Sequence, residues 1–349
     1  MNAIPVASIP GFAKAETGYI YGFVLSGEQA GRAIQWHEIE SHVLSVEGSA
    51  DEAADDLDRE VIWLHMDYSH PAVKAWFNKQ GHLGDVVVEA LLREENRPRV
   101  SAIHDGLLLS LRSINFSELA SPEDMVAIRV WTNARIILST RKRHVLSVGY
   151  LAEAIAAGNG PKTASAFIAE LAESLIVRMQ ETLSEVEDSV DDLEERAVSN
   201  SNEQLRTQIA DLRRQAIALR RYLAPQREAL THLQSEKFNW ITVDDRLRLR
   251  ETTDHLHRYV EDLDAVRDRA AVTQEQLANR VAEQVNARMY VLSLVAAIFL
   301  PLGFFTGLLG INVGGIPGSD MPQAFMLVVL SMVALVCCQL VLFKIKKWF

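Results

Sequence analysis

The sequence is poor in the residues and motifs on which most enzymes depend. Only two of its 349 residues are cysteines, Cys337 and Cys338. Because adjacent residues on a helix point in different directions, they predict neither a structural disulfide nor a C-x-x-C metal site. The sequence contains no phosphate-binding loop, no GxGxxG and no GxSxG motif, and its ten histidines are scattered. We therefore expect a protein that is not an enzyme and that needs no cofactor.

The sequence also has fewer basic than acidic residues. The chain has 46 acidic and 35 basic residues, which gives a formal net charge of −11. Because nucleic-acid-binding domains carry clustered positive charge, we expect no nucleic-acid partner. An acidic surface attracts cations, although it also serves solubility alone. The N-terminus shows no basic segment followed by an apolar one, so we expect no signal peptide and a large N-terminal part that stays in the cytoplasm.

Glycine and proline are nearly absent from the middle of the chain. Residues 162–300 contain no glycine and a single proline, which predicts long helices because these two residues are the strongest helix breakers. We expect one helix over 163–198, a second over 203–235, and a third that begins at Asp244 and meets no breaker until the apolar C-terminal part. Apolar residues of the third helix recur at spacings of three, four and seven, which indicates a stalk that packs against other helices. They are Leu249, Leu256, Leu263, Val266, Ala270, Leu277 and Val281.

The first 158 residues predict a mixed α/β domain. Short apolar and β-branched runs, bounded by turn residues, are typical of strands. Asn133-Ala134 is placed to form a hairpin turn between the last two runs. Two short helices are expected between residues 69 and 92, with a break at Gly81. The predicted strands cover residues 19–25, 61–66, 106–111, 125–131 and 135–139.

Two uncharged apolar runs, residues 289–309 and 324–343, lie near the C-terminal end. Each has about twenty residues, enough to cross the ~30 Å hydrocarbon core as a helix. They predict a transmembrane hairpin rather than two buried helices of a soluble protein. Basic residues flank the hairpin on its outer sides, at Arg288 and in the tail 344–349. The positive-inside rule therefore predicts cytoplasmic N- and C-termini and an external loop over 310–323.

These observations divide the chain into seven segments. The expected order is an α/β domain, a region of long helices, a stalk helix, a first membrane helix, an outer loop, a second membrane helix and a basic tail. Their predicted bounds are 1–158, 159–243, 244–288, 289–309, 310–323, 324–343 and 344–349.

One face of the first apolar run carries small residues toward its outer end. Its glycines either allow close packing of two helices or line a narrow apolar pore made by several copies of the helix. Because two helices per chain cannot enclose a pore, transport requires an oligomer. Pro301 lacks the N–H that would bond the Ala297 carbonyl, so a bend is expected there. The face consists of Met289, Leu292, Ala296, Leu300, Gly303, Gly307 and Gly310.

The residues Gly310-Ile311-Asn312 end this run. Glycine ends helices well, and the Asn312 side chain offers an amide oxygen at the outer mouth. A ring of such amides suits the water shell of a divalent cation, which is shed reluctantly. Alone, the G-x-N pattern is a weak signal, but the apolar helix before it and the second helix after it strengthen it. Asp320 in the loop either attracts the ion or caps the second helix.

An acidic run lies at residues 181–195, with eight carboxylates and no basic residue. On a helix, several of these carboxylates stack at spacings of three and four, where like charges repel. The run is either the solvated face of a coiled coil or a reservoir that concentrates divalent cations near a pore mouth. Glu185, Asp188, Asp192 and Glu195 are the candidates for ion attraction.

The C-terminal part resembles the CorA-type metal-ion transporters. The resemblance rests on NARMYVLSLVAAIFLPLGFFTGLLGIN, on the VGGIPG that follows, on a second helix ending in KKW, and on LRRYLAPQR at residues 219–227. The family's G-x-N signature falls on Gly310, Ile311 and Asn312. Magnesium-transporting members usually carry Gly-Met-Asn and a downstream Met-Pro-Glu-Leu. Ile311 and the loop GGIPGSDMPQ depart from that pattern and are similar to the zinc-transporting ZntB branch.

The resemblance implies a CorA-like homopentameric funnel with a pore lined by the first membrane helix. By alignment on the G-x-N, it also implies which residues line the pore. A hydroxyl-bearing pore position of the family corresponds to Gly303, which is another departure. The pore positions carried over are Asn286, Met289, Leu292, Leu300, Gly303 and Asn312.

Taken together, the sequence predicts a multi-pass inner-membrane transporter for divalent cations, most of all zinc, with lipid and copies of itself as partners. Gly310, Ile311 and Asn312 form the expected filter, with Asn312 bound to the hydrated ion, and Met289 and Leu292 form an inner apolar constriction. Uptake is the expected direction, and the ZntB resemblance implies coupling to protons. Two alternatives stay open: a magnesium, cobalt or nickel channel of the same architecture, and a membrane-anchored coiled-coil sensor or scaffold that passes no ion.

Overall fold

A computed structural model describes most of the chain. The chain separates into two compact units, Met1–Gln274 and Glu275–Phe349. The described residues are 17–48, 60–80, 83–94, 97–103, 106–116, 124–199, 203–236, 238–311, 316, 318 and 321–346.

The first unit contains a mixed six-stranded sheet, counted over the described residues. The spatial order is β1-β2-β6-β5-β4-β3, in which β2 and β6 run parallel and the other neighbours run antiparallel. The strands are β1 (Tyr19–Val24), β2 (Ile62–Asp67), β3 (Arg99–Ile103), β4 (Gly106–Ser113), β5 (Val126–Thr132) and β6 (Ile136–Arg141).

Helices account for most of the remaining described residues. A short 3₁₀ turn, Trp36–Glu38, precedes the first of them. The helices are α1 (Ile39–Gly48), α2 (Pro71–Lys79), α3 (Asp85–Leu92), α4 (Leu146–Ala156), α5 (Ala164–Val177), α6 (Met179–Ser199), α7 (Glu203–Ser235), α8 (Val243–Leu309) and α9 (Ala324–Ile345).

All five strands expected from the sequence are confirmed, as is the hairpin turn between β5 and β6. The Asn133 side chain stabilises this turn, because its Oδ1 accepts hydrogen bonds from the backbone N–H groups of Arg135 and Ile136 at 3.2 and 2.9 Å. Ala134 adopts a φ of +77°, a conformation that asparagine-anchored turns tolerate. The fold class predicted from the sequence, an α/β domain with a long helix and two apolar C-terminal helices, is confirmed.

One helix prediction was wrong. The expected single helix over 163–198 is two helices, because α5 ends at Val177 and α6 begins at Met179. The Arg178 guanidinium, between them, lies 3.9 Å from the ring centroid of Tyr150 in α4. The break contains neither glycine nor proline, so helix propensity does not predict it. It coincides instead with this contact between Arg178 and Tyr150.

The stalk predicted from the sequence lies within α8. Its heptad-spaced apolar residues are buried from Leu249 to Leu277, while Val281 is half-buried. Polar contacts tie α8 to α7, since Arg220 pairs with Asp264 at 2.6 Å and Gln234 donates to the Thr253 hydroxyl at 2.6 Å. A seam of apolar residues flanked by such pairs is what the sequence spacing predicted.

The sheet has two buried faces. One packs on α2 and α3 through a core that includes Leu64, Met66 and Leu138. On the other face, Trp63 contacts Phe167 of α5 with ring centroids 4.8 Å apart. His65 lies on this second face, fully buried, with its Nδ1 2.7 Å from the Ser139 hydroxyl and its ring stacked on Tyr21.

Acid is expected to weaken this domain through His65. Burial, together with the positive charge of Arg141 and of His144, holds the His65 pKa well below its usual range. In the unfolded chain His65 binds a proton as the pH falls through about 6.5, whereas in the folded chain it stays neutral at that pH. His65 therefore does not change the free energy of unfolding above that pH. Below it, this group lowers the free energy of unfolding by up to about 1.4 kcal/mol per pH unit.

The measurement is the unfolding midpoint of the detergent-solubilised protein at pH 7.5 and pH 5.5. The His65→Gln variant keeps a hydrogen-bonding group beside Ser139 and does not titrate, so its midpoint is expected to fall less than that of the wild type. Equal falls in both proteins would contradict the assignment to His65.

Candidate ion pathway

Two helices of the described residues, α8 and α9, are long and apolar enough to cross a membrane, and the apolar part of α8 and all of α9 lie in the second unit. The most apolar 18-residue window has a mean hydropathy of 2.2 in α8 and of 2.7 in α9. α9 has 22 residues, and at 1.5 Å per residue it spans about 33 Å, which matches the ~30 Å of hydrocarbon in a bilayer. The predicted runs 289–309 and 324–343 lie within these two helices.

Half-buried residues identify the side of α8 that faces α9. On α8 they are Leu294, Ala297, Ile298, Pro301 and Leu302, and on α9 they include Val328, Leu335 and Gln339. A small cavity of about 160 Å³ lies between the helices further toward the loop. Its lining residues are Phe305, Leu309, Val328, Ser331, Met332 and Leu335.

The predicted pore face lies on the opposite side of α8. At about 100° per residue, the series from Met289 to Gly307 falls roughly 160° around the helix from the side that faces α9. All of its members are exposed in the single chain, and a Cβ added at Gly303 or Gly307 would meet no atom within 4 Å. One chain therefore leaves this face open. The exposed series is Asn286, Met289, Leu292, Ala296, Leu300, Gly303 and Gly307.

α8 ends at the predicted position. The Gly310 N–H donates to the carbonyls of Thr306 and Gly307, at 2.9 and 3.2 Å, and Ile311 follows as an exposed residue. Asn312 and Asp320 lie outside the described residues. The N-cap residue of α9 is Gln323.

Pro301 leaves a gap in the hydrogen bonds of α8, and a residue of α9 fills it. Proline has no N–H to donate to the carbonyl four residues earlier, that of Ala297. The Gln339 Nε2 donates to this carbonyl at 3.1 Å. Inside a bilayer no water is available for such an orphaned carbonyl, so the amide of a neighbouring helix satisfies it. Gln339 was not predicted as a functional residue, although a lone amide in an apolar span beside a proline-bearing span is a usable signal.

Replacing Gln339 by leucine is expected to destabilise the pair of helices by roughly 1 kcal/mol, the usual size of an interhelical hydrogen bond in a membrane. The loss should vanish in a Pro301→Ala background, because alanine returns the missing N–H to Ala297. The measurement is a double-mutant cycle on the unfolding midpoint of the protein in mixed micelles of increasing denaturing detergent.

Cys338→Leu is the matched control, since Cys338 neighbours Gln339 and is exposed. It is expected to leave the midpoint unchanged in both backgrounds. A Gln339→Leu loss of the same size with and without Pro301 would show that the amide does not serve the proline gap.

The acidic run forms the outer face of α6. Its apolar residues Leu183, Val186, Val190 and Leu193 are buried, whereas the four candidates for ion attraction are exposed. Asp192 pairs with Arg196 at 2.9 Å one turn later. Asp188 and Asp192 line an open cavity of about 580 Å³ that α7 residues complete. Among the described residues no three His, Cys, Asp or Glu side chains are grouped so that they could hold a metal ion. The candidates are Glu185, Asp188, Asp192 and Glu195.

Other members of the run face α8. Arg269 forms ion pairs with both Asp191 and Glu194. Burial raises the pKa of Glu187, and the carboxylates of Asp262, Asp188 and Asp191 raise it further. One arginine thus neutralises part of the run, while the crowding around Glu187 leaves a negative potential that favours cations. Spacing alone did not single out Asp191, Glu194 or the Glu187–Asp262 proximity, because each depends on how α8 packs.

Comparison with known proteins gives one family over most of the chain. Residues 58–347 match the family described as CorA-like Mg²⁺ transporter protein. The chain is 38% identical over 339 residues to the divalent cation transporter CmaX of Pseudomonas aeruginosa, with 95% of this chain and 97% of that protein covered. It is 39% identical over 286 residues to the zinc transport protein ZntB of Pectobacterium carotovorum subsp. carotovorum, with 82% and 87% covered.

Comparison with solved structures points to the same family as these sequence matches. The solved structure of full-length CmaX matches with a TM-score of 0.80 and 37% sequence identity, over 96% of this chain and 100% of that one. The resemblance to the CorA-type transporters is therefore confirmed over far more than the two apolar spans, and the chain belongs to the CorA-like Mg²⁺ transporter family.

Proposed function

We propose that this chain takes up divalent cations, zinc above all, through a pore lined by the C-terminal part of α8 in an oligomer of identical chains. The observation that carries the proposal is the open face from Met289 to Gly307. It is apolar, contains two glycines, and points away from the chain's own second span. An apolar face that small residues leave narrow suits a pore that gates by dewetting.

A homopentamer is the proposed assembly, since two spans cannot enclose a pore and the family resemblance implies five copies. The proposed location is the inner membrane. Arg288 before the first span and Lys344 and Lys346 after the second place both flanks in the cytoplasm by the positive-inside rule. The acidic face of α6 would then raise the local concentration of cations on the cytoplasmic side.

Zinc is the proposed cargo for two reasons that agree: the sequence departs from the pattern of magnesium transporters, and several relatives are named as zinc transport proteins. Ile311 replaces the methionine of Gly-Met-Asn, and several relatives that are 36–39% identical are named zinc transport proteins. The family description names Mg²⁺ and CmaX is named for divalent cations in general. A magnesium, cobalt or nickel channel of the same architecture is the second candidate.

Proton coupling is part of the proposal, although neither apolar run contains Asp, Glu or His. No side chain of the spans can therefore carry the proton across the hydrocarbon by titrating near neutral pH. Coupling would have to run along the water-bearing pathway of the ion itself.

The testing experiment is zinc flux into proteoliposomes that contain the full-length oligomer, with and without an imposed pH gradient. Zinc flux that rises with the gradient, and that magnesium at equal concentration does not block, is the expected result. Flux that ignores the gradient would replace coupled uptake with a passive channel, and block by equal magnesium would favour the second candidate. An intact oligomer that passes no metal would overturn the transport proposal and favour a sensor or scaffold.

A further inference from the structure

A cleft of about 340 Å³ opens at one end of the sheet in the first unit. Four strand ends meet there, because β4 and β6 finish and β5 begins at this end, with β2 parallel to β6. The strand topology thereby gathers charged residues that are far apart in sequence. The charged residues that line the cleft, together with Tyr68, are Glu94, Arg112, Asp124, Arg129, Lys142 and Arg143.

Arg129 forms the floor of this cleft. Its residue is only 1% exposed, and its Nη2 donates to the Glu94 backbone carbonyl at 3.0 Å. Its guanidinium carbon lies 4.6 Å from the ring centroid of Tyr68. The Nε and Nη1 atoms are buried and have no hydrogen-bond partner among the described residues. Buried arginines normally pair with a carboxylate, and this one contacts a carbonyl and a ring instead.

The surrounding charges add to the imbalance at Arg129. Burial lowers the pKa of Arg129, the Tyr68 side chain partly offsets this, and the positive charges of Arg112 and Arg99 lower the pKa further. Two acidic residues line the cleft: Glu94 forms an ion pair with Lys142 at the rim, and Asp124 is exposed. The cleft therefore gathers positive charge around a buried guanidinium that has no ion-pair partner in the described part of the chain, and an anion would relieve this cost.

Arg112 is held in place at the side of the cleft. Its Nη1 donates to the Met125 carbonyl at 3.0 Å, and its guanidinium lies 4.8 Å from the ring centroid of Tyr222 in α7. Lys142 and Arg143 are exposed at the rim. Guanidinium groups held in a recess, with exposed basic groups at the entrance, suit the tetrahedral oxygens of a phosphate, which arginine binds with paired N–H donors.

We propose that this cleft binds a small phosphate-bearing anion, either free phosphate or a phosphate monoester. The anion approaches past Lys142 and Arg143, and small rotations of the Arg129 side chain present its unpartnered N–H groups. All of its lining residues belong to the first unit and none to the two spans, so the proposal does not depend on the identity of the transported cation.

The test is isothermal titration of the full-length, detergent-solubilised protein, in chloride buffer, with inorganic phosphate and separately with adenosine monophosphate. Saturable binding that weakens at least about tenfold in Arg129→Met is expected, since charge-assisted bonds to the buried group are lost. Glu94→Gln, at an exposed position, is expected to strengthen binding several-fold because it removes a competing negative charge. Arg206→Met removes an exposed guanidinium of α7 that does not line the cleft, and it should leave the affinity unchanged.

Preference for one of the two probes tells free phosphate from a monoester. Thermal unfolding of the same variants guards against misfolding. Without phosphate, Arg129→Met should unfold no earlier than the wild type, because it removes a buried uncompensated charge. With phosphate, only the wild type and the two other variants should be stabilised. No saturable binding to the wild type at millimolar phosphate, or equal binding by all four proteins, would overturn the proposal.

Discussion

Phenylalanine in place of Gly303 is expected to reduce cation flux by about a hundredfold or more. In the single chain a side chain at this position enters open space, since a Cβ there meets no atom within 4 Å. The substitution therefore costs the protomer little packing. In a ring of copies, each chain would place one aromatic side chain in the pore, and an apolar constriction of that kind excludes a hydrated ion. The measurement is metal flux into proteoliposomes at matched protein content.

Leu330→Phe is the matched control for this variant. Leu330 lies on α9, 66% exposed, on the side of that helix away from α8. It adds the same aromatic group to a span without entering the proposed pore, and wild-type flux is expected. Size-exclusion chromatography with cross-linking verifies that both variants assemble. Near-normal flux through an assembled Gly303→Phe protein would show that this face of α8 does not line the pathway.

Alanine in place of Asn312 is expected to be nearly as damaging, because a symmetric assembly multiplies the change. One lost hydrogen bond to the water shell of an ion is worth about 1 kcal/mol, and the five copies of the proposed pentamer would together lose roughly 3–7 kcal/mol. If half of this lost free energy raises the barrier to ion entry, flux at low ion concentration falls by about a hundredfold. Initial rates of zinc uptake over a range of concentrations provide the measurement.

Asn279→Ala removes the same amide from an exposed position on α8, outside the apolar run, and should leave uptake unchanged. A rise in KM with little change in the maximal rate is expected for Asn312→Ala if the residue serves ion capture. Retention of more than half of the wild-type uptake at low zinc would contradict a filter at Gly310, Ile311 and Asn312.

Much of the fold could be predicted because its patterns are local. The two spans, the helix over 203–235 and five of the strands each follow from composition and spacing within a short window. β3 was missed because Arg99–Ile103 is an edge strand with half-exposed, unpatterned residues. The break at Arg178 was missed for a related reason, since the contact that accompanies it comes from a tyrosine 28 positions earlier.

The candidate pore face could also be predicted, because helical spacing fixes which residues share a side. What spacing cannot supply is a partner on another element. Three contacts of this kind depend on how helices and strands pack. They are Gln339 opposite the Pro301 gap, Arg269 between two carboxylates of the acidic run, and Arg129, whose Nε and Nη1 have no hydrogen-bond partner among the described residues. In the sequence nothing distinguishes these polar residues from others of their kind. Their roles follow only from the partners that the packed structure brings close to them.

Gln226 of α7 sets the order in which the chain can complete its sheet. β3 pairs with β4 only as far as Ser110, and beyond it the amide of Gln226 accepts from the Arg112 N–H at 2.6 Å and donates to the Arg112 carbonyl at 3.2 Å. A side chain 114 residues downstream thus serves as the missing strand. During synthesis, the ribosome must release residue 226 before that edge closes. A fragment that stops at residue 158 would leave these backbone groups unpaired, an open edge that invites aggregation.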